Sequence, residues 1–306
     1  MRFIAKVLSA VIPLTFMLSA PVQARDWNAI KASGTIIAVT EGQYAPFNYY
    51  EGTKLTGYEV DVAEAVAKQL GLKLEWRTAP FDAQVAAVGQ DRFDFAIASH
   101  GHTEERAKAV DFAAPHYCSG AQIAAKQNGP LTAAALKGKT AGVQIATSYY
   151  DAAKKIEGIK DVKTYKADPE AFAALRAGKI DAWVSDKFTV METLNKNPKA
   201  GIVTGEQLFV ERISMILRKG NKELLEQVNG AMAELQKNGT LAKISQRYLK
   251  ADATGAPSEN PIRAAGVLRV EPSTLLPADQ GRCVDQQNLD DSGCGDGIEK
   301  GVAACP

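Results

Sequence analysis

Short apolar runs alternate with longer amphipathic runs from Thr35 onward, and this alternation predicts strands followed by helices. Residues 35–39 are predicted as the first β-strand. Residues 57–70 carry apolar side chains at helical spacing, and Gly71 stands where a left-handed helix cap belongs. Residues 72–76 are predicted as the next strand. The pattern indicates an α/β fold with largely parallel sheets.

Two later segments, 88–99 and 175–186, repeat one pattern: a helix end, a turn, and a buried strand that finishes in a polar residue. Two similar α/β lobes would explain this repetition. In open parallel sheets, ligands bind beyond the carboxyl ends of the strands. Since Ser99 and Asp186 end the two strands, we expect both to face a binding crevice.

A final helical pattern closes the globular part of the chain. Asn221 is placed to cap it, five apolar residues between positions 224 and 235 share one face, and Gly239 ends it before a short helix to Tyr248. Residues 251–306 are rich in Pro, Gly, Asp and Gln and show no sustained periodicity. We therefore expect this C-terminal tail to be mostly disordered.

Residues 1–24 have the layout of a secretory signal peptide. Arg2 and Lys6 form a positive start, an apolar stretch follows as far as Ala20, and Val-Gln-Ala provides a small-residue exit. We expect a mature chain that begins near Arg25 and works in the periplasm. No cysteine follows the apolar stretch, so we expect no lipid anchor.

Composition narrows the class of protein. The chain has 306 residues, 46% of them hydrophobic and 23% charged, with a formal net charge of +1. This length suits two domains. The balanced charge provides no electrostatic footprint for nucleic acid or for an anionic membrane surface. We expect a small neutral or zwitterionic partner and no nucleic acid.

The four cysteines are unevenly spread: Cys118 lies in the body of the chain, whereas Cys283, Cys294 and Cys305 lie in the tail. This distribution is not typical of a disulfide framework. A bridge within the tail is compatible with an oxidising compartment.

Five motifs together resemble one protein family. In order, they are Gly-Gln-Tyr-Ala-Pro-Phe at 42–47, Leu-Thr-Gly-Tyr-Glu-Val-Asp-Val-Ala at 55–63, Phe-Asp-Ala at 81–83, Thr-Glu-Glu-Arg at 103–106 and Gly-Lys-Ile-Asp-Ala at 178–182. Through this order and spacing, residues 25–249 resemble the polar amino-acid solute-binding proteins of ABC importers, the family 3 type. The tail lies outside the resemblance.

The resemblance implies an α/β fold of the two-lobed periplasmic-binding-protein kind, type II. Each lobe is a mostly parallel sheet flanked by helices. Lobe 1 is expected to comprise residues 25–119 and 212–250, and lobe 2 residues 120–211. Two crossings, near 117–122 and 209–214, would form the hinge.

The resemblance also implies a function. The protein is expected to be a monomeric receptor that closes on a polar or basic amino acid, or a close derivative, without a cofactor. Closure of the lobes would then present the ligand to ABC transporter permease subunits in the inner membrane.

Four of the expected ligand contacts come from the resemblance. Arg106 matches the arginine that grips the ligand α-carboxylate, since a guanidinium offers a bidentate fork. Asp186 matches the carboxylate that receives the ligand ammonium. Tyr44 and Phe81 match the aromatic pair that sandwiches the ligand side chain.

Three further matches concern hydroxyl groups and a carboxylate. Thr147 and Ser148 match hydroxyl residues at the start of a second-lobe helix, where free N–H groups favour an anion. Helix capping alone would also place them there. Glu41 falls where the far end of the ligand side chain is often recognised, which favours a basic or hydrogen-bonding group.

The chain departs from the family pattern in one loop. The family often offers several hydroxyls to the α-carboxylate there, but Ala98 and Gly101 have none. The grip on the carboxylate is then expected to depend on Arg106, Ser99 and backbone N–H groups.

His100 and His102, with His116 and Cys118, form an H-x-H and an H-x-C pair whose atoms suit zinc or copper. The family precedent is for no metal, and packing of loops explains such pairs equally well. We expect no metal site.

The main alternative is an enzyme, because cyclohexadienyl and arogenate dehydratases resemble the same fold and add a cleft acid that protonates a leaving hydroxyl. Asp186 and Glu41 are the candidate acids. An acid paired with a ligand ammonium is ionised and poorly suited to donate a proton, so we expect no enzyme activity. A ligand-sensing module that docks on another receptor is a further alternative.

Overall fold

The computed structural model of the protein describes residues 25–254. The predicted signal peptide and almost all of the predicted tail lie outside the described residues. Within them, no helix is both long enough and apolar enough to cross a membrane.

Strands and helices alternate through the first half of the described chain. In chain order they are α1 (Trp27–Ser33), β1 (Thr35–Thr40), β2 (Gln43–Tyr44), β3 (Asn48–Glu51), β4 (Lys54–Thr56), α2 (Tyr58–Gln69), β5 (Lys73–Thr78), α3 (Phe81–Gly89), β6 (Phe95–Gly101), α4 (Glu104–Ala109), β7 (Val110–Phe112) and β8 (Tyr117–Lys126).

The second half continues the alternation and ends in two helices. Its elements are a 3₁₀ turn (Ala134–Leu136), β9 (Thr140–Gln144), α5 (Ser148–Lys154), β10 (Asp161–Tyr165), α6 (Asp168–Arg176), β11 (Ala182–Asp186), α7 (Lys187–Lys196), β12 (Ile202–Arg218), α8 (Lys222–Lys237) and α9 (Thr240–Leu249).

One sheet runs through both lobes. Within residues 25–254 it has nine strands, in the order β10-β9-β11-β8-β12-β6-β1-β5, with β7 paired beside β12. β1 is parallel to β5 and β6, and β9 is parallel to β10 and β11. β8 and β12 are antiparallel to their neighbours. β2, β3 and β4 form a separate small sheet.

Each lobe has a hydrophobic core of its own. In the first lobe, Ile36 of β1 packs in one cluster with Leu224 of α8 and Leu241 of α9. In the second lobe, neighbouring strand residues Trp183 and Val184 belong to two different clusters. Since successive strand residues point to opposite faces, apolar side chains cover both faces of that part of the sheet.

The two long strands β8 and β12 connect the lobes. They pair with each other from Ile202 opposite Lys126 to Ile213 opposite Tyr117, with register shifts between positions 204 and 209. The predicted lobe boundaries, after residues 119 and 211, fall inside these strands. Two extended strands that run side by side from one lobe to the other form a hinge, about which the lobes can close.

Gly120 of β8 lies so close to the neighbouring strand β12 that there is no room for a side chain. A Cβ atom at this position would collide with the backbone carbonyl of Phe209. Because a backbone neighbour cannot swing aside, we expect Gly120→Ala to lower the free energy of unfolding by about 2 kcal/mol. Urea denaturation measures this difference.

Gly230 provides the matched control, because it lies in α8 and a Cβ there would meet no atom within 4 Å. Gly230→Ala should leave the stability unchanged or raise it, since alanine favours a helix. Equal stabilities of the two variants would contradict the proposed close approach of the strands.

Candidate functional site

A small cavity lies between the lobes, at the carboxyl ends of the parallel strands β1, β6 and β9. Its volume of about 10 Å³ is room for about one water molecule. The residues that line it are Glu41, Tyr44, Phe81, Ala98, Ser99 and Arg106 from the first lobe, and Gln144, Thr147, Ser148 and Tyr149 from the second. Because both lobes meet around so small a space, the structure is the closed form of the protein.

Hydrogen bonds cross from one lobe to the other around this cavity. Arg106 donates to the Ala146 carbonyl at 2.8 Å. The Gln144 amide donates to Glu41 Oε1 at 2.7 Å. The Tyr44 hydroxyl lies 3.2 Å from Ser185 Oγ. Opening the lobes would break each of these contacts.

Arg106 is held in place by the start of α4. Thr103 caps this helix by accepting from the Arg106 N–H at 3.2 Å. The guanidinium donates to the Gly101 carbonyl at 2.8 Å and lies 5.3 Å from the centre of the Phe81 ring. Burial lowers the pKa of Arg106, while the Glu211 carboxylate opposes this shift. The result is a half-buried cation that donates to neutral carbonyl groups and lies over an aromatic ring.

Tyr44 lines the cavity from β2, and Phe81 lines it from the first turn of α3. Phe81 stacks on His100 with 4.8 Å between the ring centres, and His100 is fixed by a 3.1 Å hydrogen bond to Gln84. Tyr44 stacks on Phe47 with 5.6 Å between the ring centres. Both rings are backed by other aromatic groups, so their faces are pre-set before a ligand arrives.

Glu41 is a carboxyl group with an unusual environment. Burial raises the pKa of Glu41 to about 8, and the neighbouring carboxylates of Asp168, Asp82 and Glu170 raise it further, whereas the hydrogen bond from Gln144 lowers it. At neutral pH the group is therefore mostly protonated in the closed form. A cation placed beside it would favour the ionised form.

Thr147 and Ser148 lie at the start of α5, as expected. The Thr147 hydroxyl donates to the Gln144 carbonyl at 2.8 Å and accepts from the Tyr150 N–H at 3.3 Å, so Thr147 is the helix cap. The Ser148 hydroxyl donates to Glu211 Oε2 at 2.8 Å. Both capping and cavity lining therefore occur at these positions, and a ligand contact by either hydroxyl stays a prediction.

Asp186 is the one predicted contact residue that does not line the cavity. It is fully buried and caps α7 by accepting from the Phe188 N–H at 2.7 Å. Tyr149, which does line the cavity, lies in front of it and donates to Asp186 at 3.4 Å. Burial raises the pKa of Asp186 to about 7. In the closed form Asp186 acts on the cavity through Tyr149, and direct contact with a ligand ammonium stays a prediction.

Three lining residues were not predicted from the sequence: Ala98, Gln144 and Tyr149. Gln144 is the last residue of β9, so the strand-end rule that indicated Ser99 applies to it equally well. Tyr149 follows Ser148 directly, but nothing in its local pattern distinguishes it from a core tyrosine.

The histidines and Cys118 are explained by packing and bonding. His102 lies 2.7 Å from Ser214 Oγ, and His116 lies 2.9 Å from Glu59 Oε1. Cys118 is disulfide-bonded, and the other three cysteines of the chain lie beyond the described residues. Among residues 25–254, no group of three or more His, Cys, Asp or Glu side chains is placed to hold a metal ion.

A larger groove of about 1180 Å³ opens beside the hinge and shares Ser148 with the cavity. Its lining includes Lys137, Lys155 and Arg212 as well as Asp151 and Glu157, so charges of both signs are spread along it. Arg106 and the aromatic pair lie outside this groove. Most of the residues expected to contact an amino acid therefore gather around the small interlobe cavity and not in the larger groove.

Comparison with known families gives a match over most of the described chain. A model described as bacterial extracellular solute-binding proteins, family 3, matches residues 36–251. The L-cystine-binding protein TcyJ of Escherichia coli is 37% identical over 232 residues, which is 74% of this chain and 87% of that protein. The L-cystine-binding protein TcyA of Bacillus subtilis is 33% identical over 240 residues, 74% of this chain and 86% of that protein.

Solved structures show the same likeness. An ancestral arginine-binding protein bound to arginine has a TM-score of 0.67 and 36% identity, covering 70% of this chain and 98% of its own. The ancestral amino-acid-binding protein AncCDT-1, a precursor of cyclohexadienyl dehydratase, has a TM-score of 0.67 and 28% identity, covering 72% and 98%.

Proposed function

Since the chain belongs to the bacterial extracellular solute-binding proteins of family 3, we propose that its ligand is an L-amino acid whose side chain ends in a positive charge. Family membership confirms two predictions from the sequence. They are the two-lobed type II periplasmic-binding-protein fold and the role of an extracytoplasmic, amino-acid-binding receptor of an ABC importer. The identity of the ligand is the new element.

Arg106 supports the α-carboxylate end of this proposal. Within the described residues, it is the one basic side chain that lines the interlobe cavity. A bidentate pair between a guanidinium and a carboxylate is both strong and directional. In the closed form Arg106 donates to the neutral carbonyls of Gly101 and Ala146, and the Glu211 carboxylate favours its charged form.

Glu41 supports the cationic end, and it is the observation that carries the proposal. Its hydrogen-bond partner across the lobes is the neutral amide of Gln144, and the charged groups that shift its pKa upward are carboxylates. An ammonium or guanidinium group placed there would relieve the repulsion among these acids. Arginine carries such a group, and the second half of L-cystine carries an ammonium together with a carboxylate.

Titration calorimetry with matched ligands tests the proposal. L-arginine and L-citrulline have nearly the same shape but differ in charge, so their comparison isolates the cationic end. A hydrogen bond to a charged group is worth about 1.5–3 kcal/mol. We therefore expect L-arginine to bind at least about tenfold more tightly than L-citrulline.

L-cystine and S-methyl-L-cysteine form a second pair, in which the shorter molecule lacks both the far ammonium and the far carboxylate. At least one of L-arginine and L-cystine should bind, and the other member of its pair should bind more weakly. Equal affinities within both pairs would contradict the assignment of Glu41. Silence of all four ligands would contradict the proposed ligand class.

The enzyme alternative has one observation in its favour. A carboxyl group that is mostly protonated at neutral pH, as Glu41 is in the closed form, is suited to general-acid catalysis. The curated relatives matched above are nonetheless named as binding proteins. We propose binding rather than catalysis. Incubation with arogenate or prephenate, followed by product analysis, distinguishes the two, and turnover would overturn the proposal.

The cellular setting is part of the same proposal. We infer that the protein works as a monomer in the periplasm and delivers its ligand to the permease subunits of an ABC importer in the inner membrane. The family is extracellular by description, which supports export. Capture of the closed protein by the matching permease in reconstituted membranes would test the partner directly.

A further inference from the structure

Glu59 is a fully buried carboxylate that lies behind the cavity without lining it. It belongs to the first turn of α2. Hydrogen bonds reach it from separate segments of the first lobe. They come from Ser99 N at 2.7 Å, Ser99 Oγ at 3.2 Å, Asn48 Nδ2 at 2.8 Å and His116 Nε2 at 2.9 Å.

The bonds from Ser99 act on a cavity residue. The backbone of Ser99 has a φ of 60°, in the left-handed region that a residue with a side chain adopts only at a cost. In this conformation both the N–H and the hydroxyl of Ser99 are directed at Glu59. A carboxylate accepts stronger hydrogen bonds than a neutral group does. The two hydrogen bonds to Glu59 thereby offset the strain at Ser99. They also fix which atoms of Ser99 face the cavity.

The bond from Asn48 extends the effect to a second wall of the cavity. The Gly42 N–H donates to Asn48 Oδ1 at 2.9 Å, so the NH₂ end of the amide must face Glu59. Gly42 lies between Glu41 and Tyr44, which both line the cavity. Glu59 therefore holds their loop through one intervening side chain.

The contact with His116 connects the same carboxylate to the hinge. His116 directly precedes β8, and its N–H donates to the carbonyl of Ile213 in β12 at 3.0 Å. The Tyr58 hydroxyl donates to the His116 carbonyl. The His116 ring is fully buried beside Glu59. The Glu59 side chain thus contacts two walls of the cavity, directly or through Asn48. Through His116 it is also connected to both strands that cross between the lobes.

We propose that Glu59 is a positioning residue for ligand binding. It holds Ser99 and the Gly42 loop in the orientation that the cavity requires. Through His116 it also fixes their position relative to the hinge. Glu59 itself touches no ligand. This inference rests on the proposed function, because it assumes that an amino acid binds in the interlobe cavity.

The first test uses the ligand-free protein, so it does not depend on the identity of the ligand. Glu59→Gln keeps the size of the side chain but replaces one acceptor oxygen with an NH₂ donor. We expect amide hydrogen exchange at Ser99 and Gly42 to become about tenfold faster or more, while exchange in β11 of the other lobe stays the same. Unchanged exchange at Ser99 and Gly42 would overturn the proposal.

The second test measures affinity for L-arginine and L-cystine by titration calorimetry. We expect Glu59→Gln to lower the affinity for whichever of the two amino acids binds by about tenfold or more. Glu64→Gln is the matched control, since it makes the same chemical change on the exposed side of the same helix. Its affinity and exchange rates should equal those of the wild type.

The outcomes separate the two proposals. If the wild type binds neither amino acid, the proposed ligand class is wrong. The exchange experiment, which needs no ligand, still tests whether Glu59 positions Ser99 and Gly42. If Glu59→Gln lowers only the melting temperature and leaves affinity within about twofold, Glu59 is structural and the inference is wrong. Should Glu59→Gln not fold, Asn48→Ala cuts the connection to Gly42 alone, and wild-type affinity in that variant would equally overturn the inference.

Discussion

Arg106→Ala should abolish measurable amino-acid binding while the fold persists. Arg106 is the basic side chain of the cavity, and its guanidinium also joins the lobes through the Ala146 carbonyl. Removing it takes away the partner of the ligand carboxylate and one contact of the closed form. Loss of a buried charged partner costs about 2–5 kcal/mol, which corresponds to a loss in affinity of about 30-fold to several thousand-fold.

Titration calorimetry with whichever of L-arginine and L-cystine binds the wild type measures this loss, and circular dichroism checks the fold. Arg77→Ala is the control, because Arg77 is exposed on β5 and does not line the cavity. Arg106→Lys should also bind weakly, since a point charge does not replace a bidentate fork. Wild-type affinity in Arg106→Ala would refute the carboxylate assignment.

The second large effect is a dependence of lobe closure on pH, and Glu41 is its main source. Its pKa is about 8 in the closed form, from a usual value of 4.5, chiefly because of burial. Opening the lobes returns the group to water and to its usual range. Between these two values the closed form binds more protons than the open form. Raising the pH through this window therefore disfavours closure of the ligand-free protein, by an amount on the order of 5 kcal/mol.

We expect the radius of gyration of the ligand-free protein, measured by small-angle scattering, to increase as the pH rises through this window. Asp168 and Asp186 also have pKa values raised to about 7 by burial, but neither of them lines the cavity. Glu41→Gln isolates the contribution of Glu41. That variant should stay closed to higher pH, and identical pH profiles of variant and wild type would show that Glu41 does not govern closure.

A cationic ligand reverses the sign, because it favours ionised Glu41. At neutral pH, binding of such a ligand should release close to one proton from the protein. Calorimetry in two buffers with different ionisation enthalpies detects this proton as a difference in apparent binding enthalpy. Buffer-independent enthalpies would contradict the pairing of the ligand cation with Glu41.

Local patterns carried much of the fold. The predicted helix over 57–70 is α2, Tyr58–Gln69, and the predicted strand over 72–76 is β5, Lys73–Thr78. Both predictions succeeded because apolar spacing and flanking glycines act within a few residues of each other. The small sheet of β2, β3 and β4 was not predicted, since its strands are only two to four residues long and carry little periodicity.

The sequence predicts which residues line the cavity where this depends on their place along a strand. It does not predict this where the direction of the side chain matters. Ser99 was expected to end its strand, but β6 continues to Gly101, and Ser99 lines the cavity from two residues before that end. Gln144 does end its strand, β9, and also lines the cavity. Asp186 also ends a strand, but its carboxylate turns back to cap α7, and that choice depends on a neighbouring backbone N–H. Glu59 has the sequence pattern of an ordinary acid in a first helical turn, which gives no sign of the contacts it makes with distant segments.

The core of the first lobe joins the two ends of the described chain, and this has a consequence for the order of folding. Trp27 and Ile36 share one cluster with Val228 and Leu241, which follow them by about two hundred positions. That core cannot close before α8 and α9 have been synthesised, whereas the segment from β9 to α7 is continuous in sequence. Long-range contacts of this kind slow folding. The first lobe therefore stays incomplete until the last helices arrive, whereas the second can fold from one uninterrupted segment.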